Sequence, residues 1–344
     1  MYKQANTLTF RYDVLRQGGV VGSIAAHDAP EIQCDSASEL KLSIRGTFRH
    51  DWAGKYDFLT DRLRPVMILN GEEHSLGTYV ITTESPESAG GADIAELEGY
   101  SELYLLRRTK TEGWLHMAGG TNYVTAILSL LAMAGITNYE AEPTAYELAT
   151  DREDWEEGTP LLQIINELLA EIGYNSLWIR LDGTVMLTPY TAPTLANVTH
   201  TYTAGRFSLI EADCKRTNDR YGKANVFKRI CDNVDLGGTM TATATNSDPG
   251  SPFSTVHLGR ILDVQRVDNV PDQAALQDIA NRALSESLQT TETAEFYTAL
   301  VPHETYETVA LDNGGIHGIY RETGWRMILA ASGQMTHKAR RVYL

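Results

Sequence analysis

Cysteine is scarce in this chain of 344 residues: Cys34, Cys214 and Cys231 are an odd number without CxxC spacing. Neither a disulfide framework nor a zinc knuckle is written in them, and buried thiols of a reducing compartment are expected. No stretch reaches the roughly 18 consecutive apolar residues of a membrane-spanning helix. The opening MYKQANTLTFRYDV lacks the charged-then-apolar pattern of a secretion signal. No membrane insertion is expected, and synthesis in the cytoplasm is. Positive charge is also short, with 29 Lys+Arg against 45 Asp+Glu and a net charge of −16. That balance argues against wrapping nucleic acid or adsorbing to an anionic surface. What is present is globular in kind: 42% hydrophobic and 22% charged residues, enough chain for about two to three domains with cores of their own.

The hydrophobic period changes twice along the chain. Residues 1–110 alternate or cluster apolar residues between turn signals, as in Thr7-Leu-Thr-Phe-Arg-Tyr, Pro65-Val-Met-Ile-Leu and Gly77-Thr-Tyr-Val-Ile-Thr, with Asn70-Gly71 as a tight hairpin and residues 86–91 as a loop. Residues 111–196 turn helical. One helix is expected over 121–135, capped by Thr121 and ended by Gly135; a second starts at Thr159-Pro160 and ends at Gly173. Asp182-Gly183 then marks a type I′ hairpin. Strand texture returns over 197–344, with a polar loop at 239–252 and one helix at 271–288, whose narrow Ala-rich stripe suits the outside of the module. The expected class is α+β and predominantly β. Two β-barrel-like modules, 1–110 and 197–344, flank a helix-plus-hairpin segment, 111–196, and the second module carries the inserted helix.

Chemistry is hard to find. Walker A, GxGxxG, GxSxG and HExxH are all absent, and in His303-Glu304-Thr-Tyr-Glu307 a Glu stands where the second zinc-binding His of a zincin belongs. The nine His, at positions such as 27, 50, 74, 116 and 200, show no one-turn or alternate-strand pairing. Residues 151–157, with Asp151, Glu153, Asp154, Glu156 and Glu157, offer carboxylates for glycoside hydrolysis, but their place before a helix suits its positive end. Asp51 and Asp57 around Trp52 have nothing placed opposite them. The basic residues Lys215, Arg216, Arg220, Lys223, Lys228 and Arg229, and Lys338, Arg340 and Arg341, fit a polar sheet edge or subunit contact better than a phosphate track. Trp52 and Trp114 fit core or interface anchors better than sugar platforms. No catalytic residue, cofactor site or metal site is expected.

The arrangement of a helix, then Gly173-Tyr-Asn-Ser-Leu-Trp-Ile-Arg-Leu-Asp-Gly-Thr-Val-Met-Leu-Thr-Pro-Tyr190, then a β module with one inserted helix resembles the baseplate hub proteins of phage tails, phage-like bacteriocins and related contractile injection particles. Val301-Pro-His-Glu304, Gly318-Ile-Tyr320 and the closing run from Trp325 to Val342 are similar to that family's last strands. Where many relatives have a Gly-Asp pair entering the strand, this chain reads Ala310-Leu-Asp-Asn-Gly-Gly315. The resemblance implies a structural protein without enzymatic activity, made in the bacterial cytoplasm and assembled into a phage tail or tail-like particle. It implies a homotrimer that joins the tail tube protein to the central spike protein around the channel, with the tape-measure protein as a further partner. Three copies of two similar barrels would present a pseudo-sixfold face to the tube and a threefold face to the spike. An acidic lumen would repel passing DNA rather than hold it. The alternative is the anchoring part of a tail-associated lysin, or an acidic β-rich carbohydrate-active enzyme.

Overall fold

The computed structural model describes residues 7–89, 91–205, 208–218, 223–233, 238–289 and 292–343. Strands make up 47% and helices 16%, which is the expected α+β, predominantly β class. The largest sheet has 14 strands and draws on both ends of the chain. Edge to edge, its main path runs Ile210–Asn218, Glu292–Ala299, Gln334–Val342, Ile316–Ile328, Glu31–Asp35, Leu42–Arg49, Ala92–Ser101, Tyr79–Ala89, Arg62–Leu69, Leu8–Arg16 and Gly19–Ile24. Val198–Thr203, Thr308–Asn313 and Glu72–Ser75 attach beside it. Among the described residues the path stays open and no closed barrel forms. The two β regions are therefore continuous through one sheet.

The join is the long strand Ile316–Ile328. Its first half pairs with Thr308–Asn313, and its second half pairs with Glu31–Asp35 of the first β region, Trp325 facing Cys34 and Ile328 facing Glu31. The change of partner falls at Gly324, beside a register shift against Gln334–Val342. A Cβ on Gly324 would sit 2.7 Å from the Cys34 carbonyl oxygen, so only glycine lets the two backbones approach here.

Local chemistry explains most element ends. Asn70 and Gly71 take φ of 53° and 87°, the type I′ geometry that folds Glu72–Ser75 onto Arg62–Leu69. At Asp182-Gly183 the expected type I′ turn is replaced. Only Gly183 has positive φ, its N–H donates to the Arg180 carbonyl at 2.9 Å, and the Thr184 N–H donates to Asp182 Oδ1 at 2.9 Å. This is a type I turn closed by a left-handed glycine, stabilised by the Asp side chain.

Both middle helices, Tyr123–Met133 and Leu161–Glu171, end in Schellman motifs. Gly135 and Gly173 are left-handed, and the Ile136 and Tyr174 N–H groups reach back to the carbonyls of Leu131 and Leu169. The starts differ from expectation by one residue. Asn122, not Thr121, caps the first helix, accepting from the Thr125 N–H. Pro160 occupies the cap position of the second, while the Thr159 hydroxyl donates to the Glu156 carbonyl.

Two expected loops are strands instead. Tyr79–Ala89 runs through Pro86, whose neighbour Ala95 lies on one side only; the other side of this strand pairs at Tyr79 and Val80 alone. A free side is where a strand tolerates a residue without an N–H. In the expected polar loop 239–252, Gly238–Thr245 forms a strand whose Ala242 and Ala244 point inward. With Val226–Asn233 and Leu262–Arg266 it makes a small three-stranded sheet. The inserted helix, Gln273–Gln289, packs on that sheet through Ala275, Leu276 and Ala280 against Cys231, Ala242 and Ala244. Alanine on both faces sets the close approach.

Candidate functional site

The residues weighed for chemistry in the sequence scatter over the fold. Of residues 151–157, Arg152–Trp155 forms a short strand against Leu115–Met117. No acidic residue occupies the first turn of Leu161–Glu171. The helix-dipole reading of the acidic run is thus corrected, because four residues of strand and a turn intervene before the helix. Its ordering element is Arg152, buried, which donates to Glu171 Oε2 and Oε1 at 2.9 and 3.1 Å. Asp57 accepts from the Leu59 N–H and belongs to a turn. Trp52 is buried against His50 and Phe58, whereas Trp114 is 68% exposed.

Of the basic residues, Lys215 and Arg216 lie on the edge strand Ile210–Asn218, as expected of a polar edge, while Arg220 lies outside the described residues. Lys228 and Arg229 lie on the central strand of the small sheet, with Arg229 buried and paired to Asp263 at 3.0 Å. Lys338, Arg340 and Arg341 correct the edge reading. Their strand is interior to the large sheet, and Arg341 pairs with Glu292 at 3.1 Å.

Where the two β regions meet, a cleft of about 760 Å³ opens, lined by Cys34, Ser176, Tyr190, Arg282, Tyr306 and Arg321 among others. The Arg282 and Arg321 guanidiniums lie 4.8 and 5.9 Å from the Tyr190 ring centre. Burial lowers the Arg321 pKa below its ordinary value. Burial also pushes the Cys34 thiol up to about 12, so it is no nucleophile at neutral pH. Next to the cleft, the turn at Leu181 ties the middle segment to both β regions. Its carbonyl accepts from the Ser75 hydroxyl at 2.8 Å and the Gly77 N–H at 3.1 Å, and its N–H donates to Glu304 at 3.0 Å.

Behind the cleft lies a cluster that the sequence reading missed. His200 and Tyr202 come from Val198–Thr203, His303 and Glu307 from the connection before Thr308–Asn313, Glu322 from Ile316–Ile328 and His337 from Gln334–Val342. His303, Glu322 and His337 are at most 2% exposed. The Nδ1 of His303 lies 2.8 Å from Glu307 Oε2 and 2.9 Å from Glu322 Oε2; the Nδ1 of His337 pairs with Glu322 Oε1. The outer nitrogens are held too, His303 Nε2 to the Tyr202 hydroxyl at 2.6 Å and His337 Nε2 to the Thr298 hydroxyl at 2.8 Å.

Burial works against the charge on His303, but Glu322 and Glu307 outweigh it and raise its pKa to about 10. Burial likewise opposes ionisation of Glu307, yet His200 and His303 hold it down at about 2. His337 is lowered by burial, only partly offset by Glu322. The three His stand 137 residues apart in sequence at their widest (200 to 337). No spacing rule reaches across that distance, and only the parallel pairing of Val198–Thr203 with Thr308–Asn313 brings His200 alongside.

Among the described residues, two sheet edges on the outer surface have no partner strand. Gly19–Ile24 ends the large sheet and exposes Val20 and Val21; Leu262–Arg266 ends the small one and exposes Leu262 and Val264. Edges with apolar side chains invite pairing with another chain.

No family model matches the chain, and no curated protein matches it in sequence. Solved structures do match over nearly its whole length. A tail protein from Neisseria meningitidis superposes with a TM-score of 0.67 at 16% identity, covering 97% of each chain. The 43 kDa tail protein of prophage MuSo2 from Shewanella oneidensis gives 0.65 at 12% identity, covering 97% of this chain and 98% of its own. A component of the type VI secretion system of E. coli, described as structurally similar to the T4 tail proteins gp27 and gp5, gives 0.52 at 11% identity over 96% of this chain and 77% of its own. The chain thus shares the fold of these phage tail proteins.

Proposed function

We propose that the protein is a structural component of a phage tail or tail-like injection particle, acting as a hub adaptor between the tail tube and the central spike. The observation that carries the reading is the end-to-end likeness to two tail proteins, each covered almost completely. In this reading residues 1–110 and 197–344 are the two ring-building modules, 111–196 spaces them, and three chains close the ring around the channel. The exposed edge strands Gly19–Ile24 and Leu262–Arg266 support it, because they offer backbone and apolar side chains to a neighbouring subunit. A tape-measure protein would contact the same ring from inside the tube.

The chain acts without catalysis in this reading. Glu156 and Glu157 lie in the connection before the helix Leu161–Glu171, and the carboxylates of the buried Glu322 and the partly exposed Glu307 are engaged by His rather than open to a sugar. The experiment is electron microscopy and light scattering of the purified protein, alone and with tube and spike proteins, alongside a cell-wall clearing assay. Threefold rings without clearing are the expected result. A persistent monomer in the presence of both partners, or release of sugar or peptide, would overturn it.

A further inference from the structure

We propose that His303, Glu322 and His337 bind one divalent transition-metal ion of the zinc class, a structural centre inside the second β region. The geometry supplies the donor set: two imidazoles and a carboxylate from three separate chain segments, with ligand atoms all within 4.8 Å of one another where almost no water reaches. Imidazole with carboxylate is the ligand chemistry of Zn²⁺ and its neighbours rather than of Ca²⁺ or Mg²⁺.

The cluster is also short of hydrogens. The single Nδ1 hydrogen of His303 faces two carboxylate oxygens, at 2.8 and 2.9 Å. Glu307 Oε2 has His303 Nδ1 at 2.8 Å and His200 Nε2 at 3.3 Å beside it, so it competes with Glu322 for the same His303 hydrogen. Sharing one hydrogen between two buried anionic oxygens is costly, and a dication in place of the Nδ1 protons would satisfy His303, Glu322 and His337 together. The outer shell is already built: ring nitrogens facing away from a metal are ordinarily fixed by hydrogen bonds, and here the Tyr202 and Thr298 hydroxyls hold them. Phe296 stacks flat on His337, with ring centres 4.5 Å apart, and keeps its plane fixed. Ligand atoms around a tetrahedral zinc lie roughly 3.3 Å apart, so His303 Nδ1 and Glu322 Oε2, now 2.9 Å apart, need to open by about half an ångström. His200, with Nε2 at 3.3 Å from Glu307, stands beside the set as a partner for that carboxylate.

The test uses the full chain, purified without a metal-affinity tag or chelator from cells grown with added zinc. Elemental analysis should find about one zinc per chain. Removal with a strong chelator should lower the thermal midpoint by roughly 5 °C or more, and zinc should restore it. Cobalt added to the stripped protein should give the visible d–d absorption of a low-symmetry site. Glu307→Gln, at the rim of the cluster, should fold and bind at least about tenfold more weakly. His317→Gln, which removes an exposed His paired with Asp312, should leave metal content unchanged. A folded wild-type protein that holds no zinc and gives no cobalt band overturns the proposal and leaves a metal-free ion-pair network. Metal that survives Glu307→Gln undiminished, or is lost in His317→Gln, overturns it by placing the ion elsewhere.

Discussion

Around the helix Leu161–Glu171 the interior is hydrocarbon: Leu161, Leu162, Ile164, Ile165, Leu168 and Leu169 are fully buried, in a core continuous with Leu63, Met67 and Leu97 of the first β region. Between Val198–Thr203, Ile316–Ile328 and Gln334–Val342 the interior is different. There Tyr202, Phe296 and Tyr320 share the centre with His303, Glu322, His337, Glu292 and Thr298, all buried. The first kind of interior gains from area alone and tolerates imperfect geometry, since apolar contact has no direction. The second is stable only while each polar atom keeps its partner. Two regions of one sheet thus differ in what a single substitution can do to them.

The sharpest break of that comparison is Glu322→Ala, which leaves His303 and His337 buried without their shared carboxylate. A loss of about 3–5 kcal/mol is expected, read by urea denaturation at pH 7. Leu168→Ala should cost about 3 kcal/mol by the same measurement, the usual range for a leucine-sized cavity. If Leu168→Ala costs more than Glu322→Ala, the ordering of the two interiors is wrong.

Asp61 sharpens the comparison inside the apolar half. It is wholly buried and accepts from Arg16 Nε and Nη2 at 2.8 and 2.7 Å and from the Asp57 N–H at 3.0 Å. The Arg16 pair, with the Asp57 N–H, holds its carboxyl below the ordinary 3.8 against the opposing pull of burial. A depressed carboxylate contributes stability that is present above the unfolded pKa and fades as pH falls through the folded one. Asp61→Asn should therefore cost about 1–2 kcal/mol at pH 7, the pair being discounted because Arg16 is half exposed. The difference from wild type should shrink as pH falls below about 4. At the small end, Leu59→Ser, at a side chain 78% exposed, should change stability by less than about 0.5 kcal/mol.

The apolar interior was legible because its signals are periodic and local. Apolar spacing placed the helix Leu161–Glu171 nearly to the residue, Gly135 and Gly173 marked the two helix ends, and Asn70-Gly71 gave the turn between Arg62–Leu69 and Glu72–Ser75. Pro86 misled because a proline reads as a strand breaker until one knows which side of the strand is unpaired. Residues 151–157 misled because the pairing of Arg152–Trp155 with Leu115–Met117 spans a whole helix. The His and Glu cluster was illegible for a plainer reason: its members have no period, and what unites them is the crossing of strands distant in sequence. The joining of both β regions into one sheet was hidden in the same way, since Glu31–Asp35 carries nothing that names Ile316–Ile328 as its neighbour.

That last pairing sets an order of events when the chain is made. Glu31 and Arg326, which pair across the join, are 295 residues apart. Until the ribosome has passed the far strand, one side of Glu31–Asp35 has no partner, while its other side can already pair with Leu42–Arg49. At about 5–20 residues per second of synthesis, the open side of this strand waits on the order of 15–60 s in a growing chain. The first region must therefore persist as a half-finished sheet with a live edge, and closing so long a loop late makes the join a slow step of folding. Expression at lower temperature or with fewer crowded nascent chains should raise the soluble yield for that reason, because two such waiting edges on neighbouring chains can pair with each other before the proper strand arrives.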